Sequence, residues 1–188
     1  LFEPCYIGGW SAAEHWDFTE QIFNSTMVFT TRKAPSRELN LKGAKLTVKT
    51  IKSERLFGTQ NIWRENQKVA ISDPTKTVVD SFNDPAVVGG IRMSVDILNR
   101  YLRSEHKNLE KLFKYSLQMK NTAIFKRLGF VFEQIGMSDP QFIQSIKKEI
   151  KSGYSQLDPS APGKSLVTTW NLWVPSSWKK GLPSRDQS

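Results

Sequence analysis

Lys68-Val-Ala-Ile-Ser-Asp-Pro-Thr-Lys-Thr-Val-Val-Asp80 is the stretch on which the fold turns. Its first five residues, centred on Val69-Ala-Ile71, read as a short and largely buried strand. At Asp73-Pro74 the pattern changes. A carboxylate able to accept from first-turn amides precedes a proline, whose missing N–H no helix start needs. Val78, Val79 and Phe82 then share one helical face. The chain therefore passes from strand to helix at residue 73, and the flanking segments keep to that division.

Upstream, Ser11-Ala-Ala-Glu14 has capping-box spacing and predicts a short helix through about Trp16. Thr26–Thr31 is β-branched and aromatic and reads as a strand, broken by Ala34-Pro-Ser-Arg37. Leu46, Val48 and Thr50 alternate with Lys45, Thr47 and Lys49, the period of a half-exposed strand. Residues 58–66 read as a loop. Downstream, four more helices are predicted. Gly89-Gly90 precedes Ile91, Val95, Leu98 and Leu102, and Asn108 caps Leu109, Leu112, Phe113 and Leu117. Asn121 leads to Ile124, Leu128, Val131 and Phe132, and Asp139-Pro140 to Phe142, Ile143 and Ile146. After the turn Leu157-Asp-Pro-Ser-Ala-Pro-Gly163, Ser165–Trp173 reads as a late strand.

Strands first, then helices, then one strand more argues an α+β fold rather than a βαβ repeat. The expected architecture is a small mixed sheet, closed by the returning C-terminal strand and packed on four to five helices. A lone strand leaves its backbone groups unsatisfied, which motivates that pairing. Residues 1–175 are expected to form one domain, and 176–188 a disordered tail. The 188 residues suffice to bury roughly 70% of the chain's surface.

Charge is unevenly spread. The net value is +9, yet residues 1–30 hold four acids and no lysine or arginine. The densest positive run is Arg32, Lys33, Arg37, Lys42, Lys45, Lys49, Lys52 and Arg55, interrupted only by Glu38 and Glu54. Such a run attracts phosphate backbones or an acidic protein face, and DNA is the partner expected of it. A lysine-protected sheet edge is the blander reading. No apolar run approaches the roughly 18 residues of a membrane span, so no membrane partner and a cytoplasmic location are expected.

Catalytic signatures are sparse. One cysteine, Cys5, and two distant histidines, His15 and His106, make neither a disulfide framework nor a metal centre. Gly89-Gly90 has neither dinucleotide nor P-loop spacing, and no cofactor is expected. Asp73, Lys76 and Asp80 resemble the acids and lysine of a metal-dependent nuclease, but their spacing suits an N-cap and an i,i+4 pair. The six tryptophans suit core packing better than base stacking.

Five motifs in order carry a family resemblance. Trp10–Gln21 with Val28-Phe-Thr-Thr31 resembles the opening of the core domain of AbiEi-type antitoxins, transcriptional regulators of type IV toxin–antitoxin pairs. Val69–Asp80 resembles that family's strand-then-helix segment, with Thr75 where its Asp-Pro-Glu-Lys has Glu. Gly89-Gly-Ile91, Arg127–Glu133 and Leu157-Asp-Pro159 resemble its Gly-Gly helix start, Arg-Leu-Gly helix and final turn. The resemblance spans about residues 5 to 175. It implies a non-enzymatic regulator that counteracts a nucleotidyltransferase-like toxin, with Asp73, Lys76, Asp80 and Arg127 as structural links. The family usually carries an N-terminal winged helix-turn-helix. This chain begins at Leu1, almost on the core motif, and reads as a trimmed or fragmentary form. Base-specific operator reading is therefore not expected of these residues.

Overall fold

The computed structural model describes residues 3–41, 43–64, 66–137 and 139–178. The fold is α+β, and the chain divides into two compact units, Leu1–Met119 and Lys120–Ser188. The sequence reading placed residues 1–175 in one domain, a span that covers the first unit and most of the second. Of the expected tail, Ser176–Trp178 forms a 3-10 turn, and residues 179–188 lie outside the described residues.

The first unit is built on β1 (Cys5–Ile7), α1 (Gly9–His15), β2 (Thr26–Thr30), β3 (Glu38–Leu41), β4 (Ala44–Thr50), β5 (Thr59–Arg64) and β6 (Gln67–Ser72). Three helices follow: α2 (Pro74–Asn83), α3 (Ile91–Arg103) and α4 (Leu109–Gln118). The strands form one mixed sheet in the order β3-β4-β2-β1-β6-β5. β1 is only three residues long, yet it lies antiparallel to β2 and parallel to β6, so both its backbone edges are satisfied. Register fixes which side chains share a face. Tyr6 pairs with Phe29, Phe29 with Lys49, and Met27 with Thr47, so these five line one side. Tyr6 and Phe29 stack at 5.0 Å, and Tyr6 reaches α2, which places the helical layer on this face.

α2 is the centre of the unit. Residues 74–82 are all buried, and α1, α3, α4 and β6 surround it. A helix enclosed on every side is usually apolar throughout, yet this one buries Thr75, Lys76, Thr77, Asp80 and Ser81. Each has a partner. Thr75 bonds the Tyr101 hydroxyl at 3.0 Å, Thr77 donates to the Asp73 carbonyl at 2.9 Å, and Ser81 donates to the Val78 carbonyl at 2.8 Å. Asp73 caps the helix by accepting from the Lys76 amide at 2.8 Å. Between α2 and α3 the chain turns through Gly89 and Gly90, at φ +92° and +113°, a region that side chains avoid.

The second unit holds α5 (Thr122–Gln134), α6 (Pro140–Lys148), β7 (Ser155–Gln156), β8 (Ser165–Val167) and β9 (Leu172–Val174). Its strands form their own sheet in the order β7-β9-β8. The expected return to the first sheet does not occur. Residues 165–173 are not one strand: a 3-10 turn at Thr168–Trp170 and Asn171 at φ +50° reverse the chain. β9 then finds β8 antiparallel on one edge and β7 parallel on the other, so its backbone is satisfied locally. Trp170 is buried, and its indole nitrogen donates to the Glu133 carboxylate at 2.6 Å. Gly129 makes room for that ring. A Cβ there would lie 1.9 Å from Trp170 Cζ3.

Two local expectations also change. Residues 58–66 contain β5, paired with β6 along its whole length. It is an exposed edge strand, so polar Gln60 and Asn61 replace the apolar alternation. α1 starts at Gly9 with Gly8 as N-cap, not at Ser11. The Ser11 hydroxyl instead accepts from the Met27 amide at 3.0 Å, which ties α1 to β2.

Gly129→Ala gains up to about 1 kcal/mol of helix propensity but overpacks the indole, at about 1–3 kcal/mol. We expect a lower denaturation midpoint for this variant, restored in part when Trp170→Phe is added. Urea titrations followed by circular dichroism check both.

Candidate nucleic-acid interface

The basic run of residues 32–55 spans two ends of the first sheet. Arg32, Lys33 and Arg37 are exposed before β3, Lys52 is exposed after β4, and Lys42 lies outside the described residues. Lys45 and Lys49 share one face of β4, four residues and about 13 Å apart. That face was expected to be the solvated one. The register turns it toward the helical layer, so Thr47 is buried against the Ser25 hydroxyl and Lys49 is half-buried.

At one end, Lys45 and Arg64 line a single cleft of about 500 Å³, with Glu14 and Phe23 also on its wall. Arg64 ends β5, where it pairs with Gln67 of β6. Trp63 pairs across the hairpin with Lys68 and is 73% exposed. An exposed indole set opposite a lysine across two strands is suited to stacking on nucleobases. The sequence reading favoured core packing over base stacking for all six tryptophans, and Trp63 is exposed instead. Trp10 stacks on Phe23, and the Trp16 indole donates to the Ser72 carbonyl at 2.9 Å.

At the other end, Lys49 forms an ion pair with Asp84. Burial lowers the Lys49 pKa, the neighbouring Arg37 and Arg55 charges act in the same direction, and Asp80 opposes them. Arg37 has no guanidinium partner among the described residues. Arg55 is half-buried at the end of a 3-10 turn, and its Nε is buried with no hydrogen-bond partner.

The acids and lysine of α2 lie beneath this surface. Lys76 is 0% exposed at its side chain and pairs with Asp80 one turn along. The Tyr6 hydroxyl donates to Asp80 Oδ2 at 2.9 Å and accepts from Lys76 Nζ at 3.1 Å. The ammonium also sits 4.9 Å from the Phe57 ring centre. Asp73 is equally committed: beyond its cap it accepts from the Tyr115 hydroxyl at 3.0 Å and from Lys111 Nζ at 2.9 Å. Burial and the Asp73 carboxylate raise the Tyr115 pKa. A hydrolytic metal site needs carboxylate oxygens facing an open cavity. Both oxygens of each acid already have protein partners. Among the described residues, no three of His, Cys, Asp and Glu gather as a metal site.

The remaining candidates are packed. The Cys5 pKa is raised by burial and by Glu3, the setting of an unreactive thiol. His15 and His106 both lie edge-on to Trp16, at 4.5 and 5.6 Å. In the second unit, Arg127 Nε donates to the Gln156 carbonyl at 3.1 Å, which ties α5 to β7. Burial pushes its pKa down to about 10, so it stays charged at neutral pH.

No protein-family model matches the chain, and no curated protein does. Among solved structures, the chain is similar to the RV2827C protein from Mycobacterium tuberculosis, with a TM-score of 0.62 at 14% identity. The match covers 90% of this chain and 62% of that one, so the chain spans less than two thirds of that protein's length. At this identity the likeness concerns fold alone.

Lys76→Met strands the Asp80 carboxylate in the interior and is expected to cost about 3–5 kcal/mol of unfolding free energy. Lys76→Met with Asp80→Leu should lose less than either change alone, because no buried charge is left without its partner. A double-mutant cycle in urea reads this directly.

Proposed function

We propose that this chain is a regulatory domain that binds nucleic acid without transforming it, of the AbiEi antitoxin type. The observation that carries the reading is the cleft shared by Lys45 and Arg64, together with the exposed Trp63 on the same strand as Arg64. Two cations from strands that are not neighbours in the sheet meet at one opening. The adjacent hairpin adds Lys68 and a free aromatic face. Lysine and arginine there hold phosphates, which sets affinity and register, and the indole stacks on a base without reading its identity. The exposed Arg32, Lys33, Arg37 and Lys52 extend the attraction around the sheet.

The antitoxin part of the reading rests on the sequence resemblance. It adds a nucleotidyltransferase-like toxin as the counterpart and a cytoplasmic setting. Among the described residues, no helix is long and apolar enough to cross a membrane, which is compatible with that setting. The commitment of Asp73 and Asp80 to internal partners supports a role without hydrolysis.

Anisotropy titrations with labelled single-stranded and duplex DNA across a salt series test the proposal. Lys45→Glu with Arg64→Glu should weaken both and flatten the log–log salt slope by roughly 0.7–0.9 for each phosphate no longer neutralised. Trp63→Ala should weaken single-strand binding by about 1–3 kcal/mol while sparing the duplex. Isotherms unchanged by all three substitutions would dismiss the interface.

A further inference from the structure

The opposite end of the sheet holds a second opening, a cleft of about 530 Å³ between β4, the 34–37 loop and the turn after α2. Arg37, Lys49 and Asp84 are its charged lining, and Met27 and Val87 give it an apolar wall. Its charges do not balance. Asp84 is taken up by Lys49, and nearby Asp80 by Lys76 and Tyr6. Arg37 is left with no partner among the described residues, and the buried Arg55 Nε has none either. Arg55 lies within electrostatic range of both Lys49 and Tyr6. Two cations therefore line the cleft with one acid, and Arg55 adds positive charge nearby, in a partly desolvated place where like charges repel more strongly than in water.

We propose that this cleft binds a small organic phosphate of about mononucleotide size. The phosphate engages Arg37 and Lys49, with the organic body against Met27 and Val87. A dianion answers the excess of positive charge. The planar guanidinium of Arg37 offers two parallel donors to phosphate oxygens, and Lys49 adds a point charge. The cavity falls in the size range of small-molecule pockets, roughly 300–1,000 Å³. The cleft lies at the other end of β4 from Lys45 and Arg64, so the inference goes beyond the interface proposed above and does not depend on it. A free metabolite phosphate and the terminal phosphate of a nucleic acid share this chemistry.

The test is a titration of the full chain with adenosine monophosphate, adenosine and inorganic phosphate, followed by amide chemical shifts. Saturable binding of the nucleotide, weaker binding of inorganic phosphate and none of adenosine are expected. Arg37→Gln should raise the nucleotide Kd about tenfold or more, since it removes a charge-assisted bidentate contact. Its side chain is exposed, so the variant folds. Leu117→Ala, an exposed position outside the cleft, should leave the Kd unchanged. Asp84→Asn should tighten binding by freeing Lys49. Competition then identifies the source. Displacement by a 5′-phosphorylated oligonucleotide but not by its unphosphorylated form assigns a nucleic-acid end, and displacement by neither assigns a free small molecule. Absence of saturation, equal binding of adenosine, or a Kd indifferent to Arg37→Gln would overturn the proposal. Loss of DNA binding in Lys45→Glu with Arg64→Glu, with nucleotide binding retained, keeps the two sites distinct.

Discussion

The ammonium of Lys76 lies entirely out of water, held by the Asp80 carboxylate and the Tyr6 phenol. An isolated charge in that place is prohibitive, so the three groups must assemble together or not at all. Their assembly fixes much else. Tyr6 stacks on Phe29, so placing its hydroxyl against α2 places the middle of the sheet against the helical layer. The helix bearing Lys76 and Asp80 begins at Asp73, whose second carboxylate oxygen reaches α4 through Tyr115 and Lys111. One helix thus distributes polar contacts to the sheet on one side and to the other helices on the rest. Such contacts tolerate little misplacement, which suits them to selecting one arrangement over near alternatives.

The same helix shows what a single sequence discloses. The caps at Asp73, Asn108, Asn121 and Asp139 were readable, and each accepts a first-turn amide. So was the pairing of Lys76 with Asp80, because helical spacing alone brings them together. Their burial was not readable, nor was Tyr6 as the third member. It lies 70 residues from Lys76, and no local periodicity reports such a meeting. β5 escaped for the opposite reason. An edge strand with solvent on both faces has no apolar alternation to show. The late strand was misassigned because an unpaired backbone demands a partner without naming one. Asn171 supplied the reversal that kept the answer local.

The basic run behaves in a related way. Read along the chain, Lys45 and Lys49 belong to one positive stretch. In the fold, their common face is closed at its centre by Thr47, and the two lysines serve different neighbourhoods. Lys45 joins Arg64, which no reading of residues 32–55 would include. Lys49 joins Asp84 and sits near Arg37 and Arg55. Charge density in a sequence therefore forecasts an electrostatic field, while the sheet register decides which charges act together.

The close approach of Gly129 to Trp170 binds two distant positions into one volume. Neither can drift independently over evolutionary time. Lineages that shrink the ring gain freedom to place a methyl group on the helix. Lineages that keep the indole hold the glycine, however far the remaining sequence diverges. Linked variation at these two positions would mark descendants of this architecture where overall identity has faded below recognition.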